Sequence, residues 1–367
     1  MIRVLQVLHG MDCGGAETMI MNLYRHIDRS KIQFDFLVHT TKKCFFDDEI
    51  KKLGGNIYYV PYYKVINGKQ YKIALNQFFV SHPEIKIVHG HLGSCAHIYL
   101  QIAKQYGCFA IAHSHSTKPK VFSLKNPLYR FFTYRTRQIA DYFLGCSKDA
   151  VEYRFGNKIA HSDRCFILKN AIDSKKFIYS DQNRTEIRSE FAIRKEDFVI
   201  GHIGRMDKGK NQTFLVDVFH SIYKKNRNSH LILVGSGFLR KELEQKVEQL
   251  GLKENVIFAG VRADAAKILS AMDVFVFPSL FEGLGIVAIE AQTAGLHVVC
   301  SDTIPKEVGV TSLIEFRSLN EPAKTWANAI IKYSEPYVRL NMQQKIIKAG
   351  YDIQTTAKWL ENFYVSI

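Results

Sequence analysis

"DVFVFPSLFEGLGIVAIEAQTAGLHVVCSD", Asp273 to Asp302, reads as a strand, a glycine-marked turn, a helix and a second strand. The strand segments, 273–279 and 297–302, are continuously apolar and do not alternate with polar residues. That pattern belongs to strands covered on both faces, hence to a parallel sheet flanked by helices. Two carboxylates interrupt this apolar texture: Glu282, just before Gly283-Leu284-Gly285, and Glu290, on the helix that the glycines open. Glu290 lies among Val287, Ala288, Ile289 and Ala291, where an unpaired carboxylate is costly. It needs hydroxyl or amide partners, and the nearby sequence offers few. Two adjacent hydroxyls of a polyhydroxylated ligand can donate to one carboxylate. A salt bridge to a distant Lys or Arg is the purely structural alternative.

The same strand-and-helix alternation fills the chain in two blocks. The first has apolar runs at 2–8, 33–39, 56–61, 85–89, 109–113 and 142–146; the second restarts at 198–204 and continues at 230–237, 255–260, 273–279 and 297–302. Two doubly wound parallel α/β domains follow. A length of 367 residues also exceeds what one hydrophobic core usually serves. The boundary falls within 168–197, giving domains 1–175 and 176–350, and an amphipathic helix at about 351–367 is free to pack back on the first.

Lys and Arg number 50 against 35 Asp and Glu, a net charge of +15 that favours an anionic partner: nucleic acid, membrane surface or phosphate-bearing substrate. The seven cysteines are scattered, form no CxxC, and read as reduced core residues of a cytosolic protein. "MIRVLQVLHGMD" reads as a first buried strand and not a signal peptide, and no window is long and apolar enough to span a membrane.

Ligands of open parallel sheets bind at the carboxyl ends of the strands. After the first strand comes "GMDCGGAET" (10–18), whose Gly14-Gly15 precede a helix start that favours negative charge. A tight turn is the plainer explanation of the pair. Neither this loop nor "VGSGFL" (234–239) carries the GxGxxG dinucleotide fingerprint, which disfavours a nicotinamide enzyme. After the second block's first strand, "GRMDKGKN" crowds Arg205, Lys208 and Lys210 into one loop, groups suited to phosphate oxygens. The free amides of 283–285 add donors at another helix start. His89, His91, His113 and His115 end two apolar runs, but no carboxylate at a ligand spacing completes a metal site.

These motifs together resemble a retaining glycosyltransferase of the GT-B group, the family 4 type that makes bacterial capsular and exopolysaccharides. The resemblance rests on Gly14-Gly15-Ala16-Glu17, on Gly204-Arg205 with Lys210, and on Glu282-Gly-Leu-Gly with Glu290, in order along the whole chain. It implies two Rossmann-like domains facing a central cleft and transfer of a hexose-type sugar from a nucleotide diphosphate, expected to be a UDP-sugar. It further implies that Glu290 binds the ribose hydroxyls, that Arg205 and Lys210 hold the diphosphate, and that Glu282 with Gly283, Leu284 and Gly285 holds the donor sugar. Gly14 and Gly15 would approach the diphosphate, Val261 would offer its backbone to the base, and His113, with His115 as alternate, would touch the donor sugar. Lys208 competes with Lys210 for the diphosphate role. The absence of any DxD fits a metal-independent reaction without cofactor, in which cationic side chains neutralise the leaving group. One departure stands out: the segment usually Asn-Gly-hydrophobic-Asp here reads Asn170-Ala171-Ile172-Asp173.

The acceptor is expected to be a saccharide or a lipid-linked oligosaccharide. "STKPKVFSLKNPLYRFFTYRTRQ" (116–138) holds six basic residues, five aromatics and no acid, and 61–72 has similar texture. Such mixtures suit an anionic membrane surface, so the expected location is cytoplasmic, peripheral on the inner face of the cell membrane. A solvated helix face with core aromatics is the alternative for that segment. Two rival functions are a sugar-nucleotide epimerase of the same fold, which would lack the paired-glutamate spacing, and a basic nucleic-acid-binding protein. No nucleic-acid module is present in the sequence.

Overall fold

Apolar runs become the strands of two parallel sheets in the computed structural model, which describes residues 1–12, 14–115 and 134–367. One unit comprises residues 1–172 with 350–367, and the other 173–349.

In the first unit the strands are β1 (Ile2–Leu8), β2 (Ile32–Val38), β3 (Ile57–Tyr59), β4 (Ile85–Gly90), β5 (Phe109–Ser114), β6 (Tyr142–Gly145) and β7 (Cys165–Ile167). They lie in the order β3-β2-β1-β4-β5-β6-β7, and each neighbouring pair is parallel. Helices Gly15–His26 and Ile353–Val365 cover one face, burying Leu23, Tyr24, Leu360 and Tyr364 against Val4, Phe34 and Phe36. Helices Gly68–Ser81 and Ala96–Gln105 cover the other with Tyr71, Leu75, Phe79 and Tyr99. Each such side chain contributes roughly 1.5–3 kcal/mol of burial. The terminal helix is drawn in by a parallel bridge between Ile172 and Asp352, with Ile353 N donating to Ile172 O at 2.9 Å. Ala171, where the family pattern has glycine, keeps a negative φ, so the missing glycine costs no backbone strain.

The second unit orders its strands β10-β9-β8-β11-β12-β13. These are β8 (Phe198–Ile203), β9 (Ser229–Val234), β10 (Val256–Gly260), β11 (Val274–Phe277), β12 (His297–Ser301) and β13 (Ile314–Arg317). Its core runs from Phe198 and Leu215 through Leu231 and Val276 to Trp326. Helix Asp181–Glu190 is bound to the sheet by charge as well as by packing: Arg184 and Arg188 each donate to Asp273 at 2.8 Å.

Both sheets reverse their strand order beside the first strand, between β1 and β4 and between β8 and β11. In open parallel sheets the carboxyl ends of the strands flanking such a reversal are where ligands bind. The sequence motifs fall at these two places.

Candidate active site

The loop leaving β8 is shaped from within. Asp207 Oδ1 accepts from the Lys210 amide at 3.1 Å, and Asp207 Oδ2 accepts from Arg205 Nε at 2.6 Å. Burial alone would push the Asp207 carboxyl up, but Arg205 and the loop amides hold it below the usual carboxylate range. Behind it the loop after β9 closes tightly, since a Cβ on Gly235 would meet Gly204 O at 2.2 Å and one on Gly237 would meet Met206 O at 2.2 Å. The glycines of "VGSG" thus serve the approach of two loops.

Across the switch point the β8 loop is tied to the loop leaving β11. Asn211, in the left-handed region at φ 56°, donates through Nδ2 to Pro278 O at 3.2 Å, and Leu280 N donates to Gly209 O at 2.8 Å. The tie brings Lys210 Nζ to Glu282 Oε1 at 2.5 Å, with the ammonium 5.2 Å from the centre of the Phe277 ring. Lys208 is exposed, and Arg205 is 77% exposed at its side chain while paired with Asp207. Beneath the pair lies His202, whose Nδ1 meets Val276 O at 2.9 Å; burial pushes its imidazole down to about 4, so it adds no charge.

Gly285 stands at φ 87°, where a Cβ would meet the Phe277 ring at 2.9 Å, and it caps helix Ile286–Thr293 without a side-chain acceptor. A left-handed residue packed on an aromatic ring requires glycine. Glu290 sits on this helix. It keeps some accessible surface, yet the surrounding protein strips enough water that burial pushes its carboxyl up to about 7. Among the described residues no side chain pairs with it, so the alternative of an internal salt bridge is not realised there. Val261 follows Gly260 at the end of β10 and is 73% exposed. The second unit therefore gathers Arg205, Lys210, Glu282, Gly283, Leu284, Gly285 and Glu290 on neighbouring elements at one strand-order reversal. Asp207, Asn211 and His202 escaped the sequence analysis, although Asp207 just before the turn Lys208–Lys210 is a residue type favoured at an N-cap.

In the first unit, Gly14 caps helix Gly15–His26, and the Glu17 carboxylate folds back so far that a Cβ on Gly14 would meet it at 2.2 Å. A Cβ on Gly15 would meet nothing within 4 Å. The histidines at the ends of β4 and β5 form a stacked group: His113 lies 4.1 Å from His115 and 5.1 Å from His89 between ring centres. Their nitrogens join in chains. Tyr364 Oη meets His89 Nδ1 at 2.6 Å, and His89 Nε2 meets His113 Nδ1 at 3.0 Å; Gln6 Oε1 meets His91 Nε2 at 2.8 Å, and His91 Nδ1 meets His115 Nε2 at 2.7 Å. Burial holds all four imidazoles well below their ordinary range. His113 is fully buried, whereas His115 retains some exposure at the strand's end.

Nitrogens of His89, His91 and His113 lie within 4.8 Å of one another, a spacing open to a metal ion. A cation there would have to break the chains just described and sit near the buried Arg154, which donates to His113 O. The basic segment 116–138 lies outside the described residues as far as 133.

Comparison with known proteins gives the family and the fold. The family described as Glycosyltransferase Family 4 matches residues 13–176, and Glycosyl transferases group 1 matches residues 183–352. The chain is 33% identical to the putative glycosyltransferase EpsF of Bacillus subtilis (strain 168), over 99% of this chain and 96% of that one. It is 25% identical to the capsular polysaccharide biosynthesis glycosyltransferase CapH of Staphylococcus aureus, over 100% and 99%. The crystal structure of Anabaena Alr3699/HepE in complex with UDP and glucose superposes with a TM-score of 0.79 at 18% identity, covering 100% of both chains. The chain belongs to this glycosyltransferase family and has its two-sheet GT-B fold.

Proposed function

We propose that this glycosyltransferase moves a hexose-type sugar from a UDP-sugar to a saccharide or lipid-linked acceptor during surface polysaccharide synthesis. The observation that carries the donor assignment is Glu290: a carboxylate packed beside a helix start with no protein partner among the described residues. Two vicinal ribose hydroxyls complete its hydrogen bonding, each bond to the charged group being worth about 1.5–3 kcal/mol. The capsular relative and the UDP-bound structural neighbour support the substrate class.

In the reaction the sugar C1–oxygen bond breaks and negative charge gathers on the diphosphate. Lys210 turns from Glu282 to the phosphate, Arg205 joins it, and the amides of 283–285 face the same oxygens. Each preorganised donor of this kind lowers a barrier by about 2.7–4 kcal/mol. Glu282, released from Lys210, accepts from hydroxyls of the sugar. The acceptor hydroxyl attacks the face that the leaving group vacates, its proton passing to the departing phosphate, so configuration is retained with neither a metal nor an enzyme nucleophile. His115, the histidine of the group that keeps exposure, takes the sugar contact, oriented by its hydrogen bond to His91 and stacked on His113.

The test is UDP titration by calorimetry from about pH 6 to about pH 8. Hydroxyls donate best to the ionised Glu290, so wild-type affinity rises with pH through about 7, and binding below that pH releases a proton. Glu290→Gln binds about tenfold more weakly with a flat pH profile. Unchanged affinity in Glu290→Gln removes the ribose assignment.

A further inference from the structure

A cavity in the first unit brings together cations from the two basic, aromatic-rich stretches of the sequence, apart from the donor motifs of the second unit. It measures about 530 Å³ and lies between helices Gly68–Ser81 and Ala96–Gln105, lined by Lys69, Lys72, His97, Arg135, Tyr63 and Gln101 among others. Among the described residues no Asp or Glu lines it. Lys69, Lys72 and Arg135 make no ion pair among the described residues. Three exposed cations around one concavity sum to a local positive field that attracts an anion. The buried His97 registers the same field: burial first, then Arg135 and Lys72, push its imidazole down to about 4.

The rim differs from an ordinary anion site. The turn Val65–Asn67 runs directly into Gly68 and Lys69, and it holds Val65 at 71% and Ile66 at 93% exposure. Tyr62 and Ile73 are also exposed beside it. A small soluble anion gives such side chains nothing to bury against. A bilayer surface does, because phosphates and acyl chains lie within one side-chain length of each other.

We propose that this cavity receives the phosphate or diphosphate headgroup of a membrane lipid, with Val65 and Ile66 entering the acyl boundary. Lys69, Lys72 and Arg135 contact the phosphate oxygens, and Tyr63 stands at the headgroup level. The assignment deepens the lipid-linked acceptor of the proposed function and rests on it only for its use; the donor site in the second unit is independent.

Flotation with phosphatidylcholine vesicles, with and without phosphatidic acid, tests it, with thermal stabilisation by UDP measured on every variant. The protein floats with phosphatidic acid vesicles and not with phosphatidylcholine alone, and inorganic diphosphate competes. Lys69→Glu/Lys72→Glu and Val65→Ser/Ile66→Ser each weaken vesicle binding by about tenfold or more while stabilisation by UDP is kept. Equal binding to neutral vesicles, or wild-type binding by both double variants, overturns the proposal. Stabilisation by inorganic diphosphate without any vesicle binding overturns the lipid and leaves a soluble anion. Loss of UDP stabilisation in the wild type would instead strike the donor reading alone.

Discussion

Lys210 Nζ donates to Glu282 Oε1 at 2.5 Å, joining side chains 72 positions apart on the loops that leave two neighbouring strands. Neither strand alone could build this pair. It exists because Asn211 reaches Pro278 O and Leu280 reaches Gly209 O across the strand-order reversal. Lys208, two residues away, is turned to solvent.

Lys210→Ala should therefore lower kcat/KM for the donor about 100-fold, mostly in kcat, because leaving-group charge develops in the transition state. Lys208→Ala should stay within about threefold of wild type, as an exposed substitution usually does. Initial rates over a range of donor concentrations decide it, and equal losses in both variants would move the phosphate contact to Lys208.

Acid should unfold the first unit through its histidines. His89 and His115 are held at about 3, and His91 and His113 well below the ordinary value, all by burial. A depressed folded-state pKa gives stability that is present above the unfolded value, about 6.5, and is lost as pH falls toward the folded one. Each histidine steepens the loss by roughly 1.4 kcal/mol per pH unit once the unfolded form is protonated. Chemical denaturation between about pH 7 and pH 5 should show proton uptake on unfolding, and His89→Gln should reduce that slope.

Arg188 is buried, bonded to Asp273, and donates to the carbonyls of Ala271, Arg194, Lys195 and Asp197. Arg188→Met leaves those acceptors unpaired in the interior and should cost about 3–5 kcal/mol in urea unfolding. Arg184→Ala removes a more exposed partner of the same Asp273 and should cost less. Equal costs would show that Asp273, and not burial of the guanidinium, sets the energy.

The sequence is most legible where one physical signal dominates. Central strands such as β8 and β11 are covered on both faces, so their continuous apolar runs give the fold class, while the strand order is read only from the structure. Edge strands β7 and β13 went unseen for different reasons: Ile314–Arg317 alternates apolar with charged residues, and Cys165–Ile167 is a three-residue strand set between charged Arg164 and Lys169. In the site, Glu282 and Glu290 were visible as acids in an apolar frame, but the choice between Lys208 and Lys210 depends on a three-residue turn capped by Asp207. No spacing rule expresses that. Likewise "HSH" offers two equivalent histidines in sequence, and only the strand's end distinguishes the interior His113 from the rim His115.

The terminal helix has a consequence for how the molecule is made. The second unit is a continuous stretch, 173–349, whereas the first needs residues 350–367 to finish its interior, including Tyr364 against His89. On the ribosome, the later-encoded sheet domain can therefore close while its predecessor still waits, one face unsealed, for the last helix to emerge.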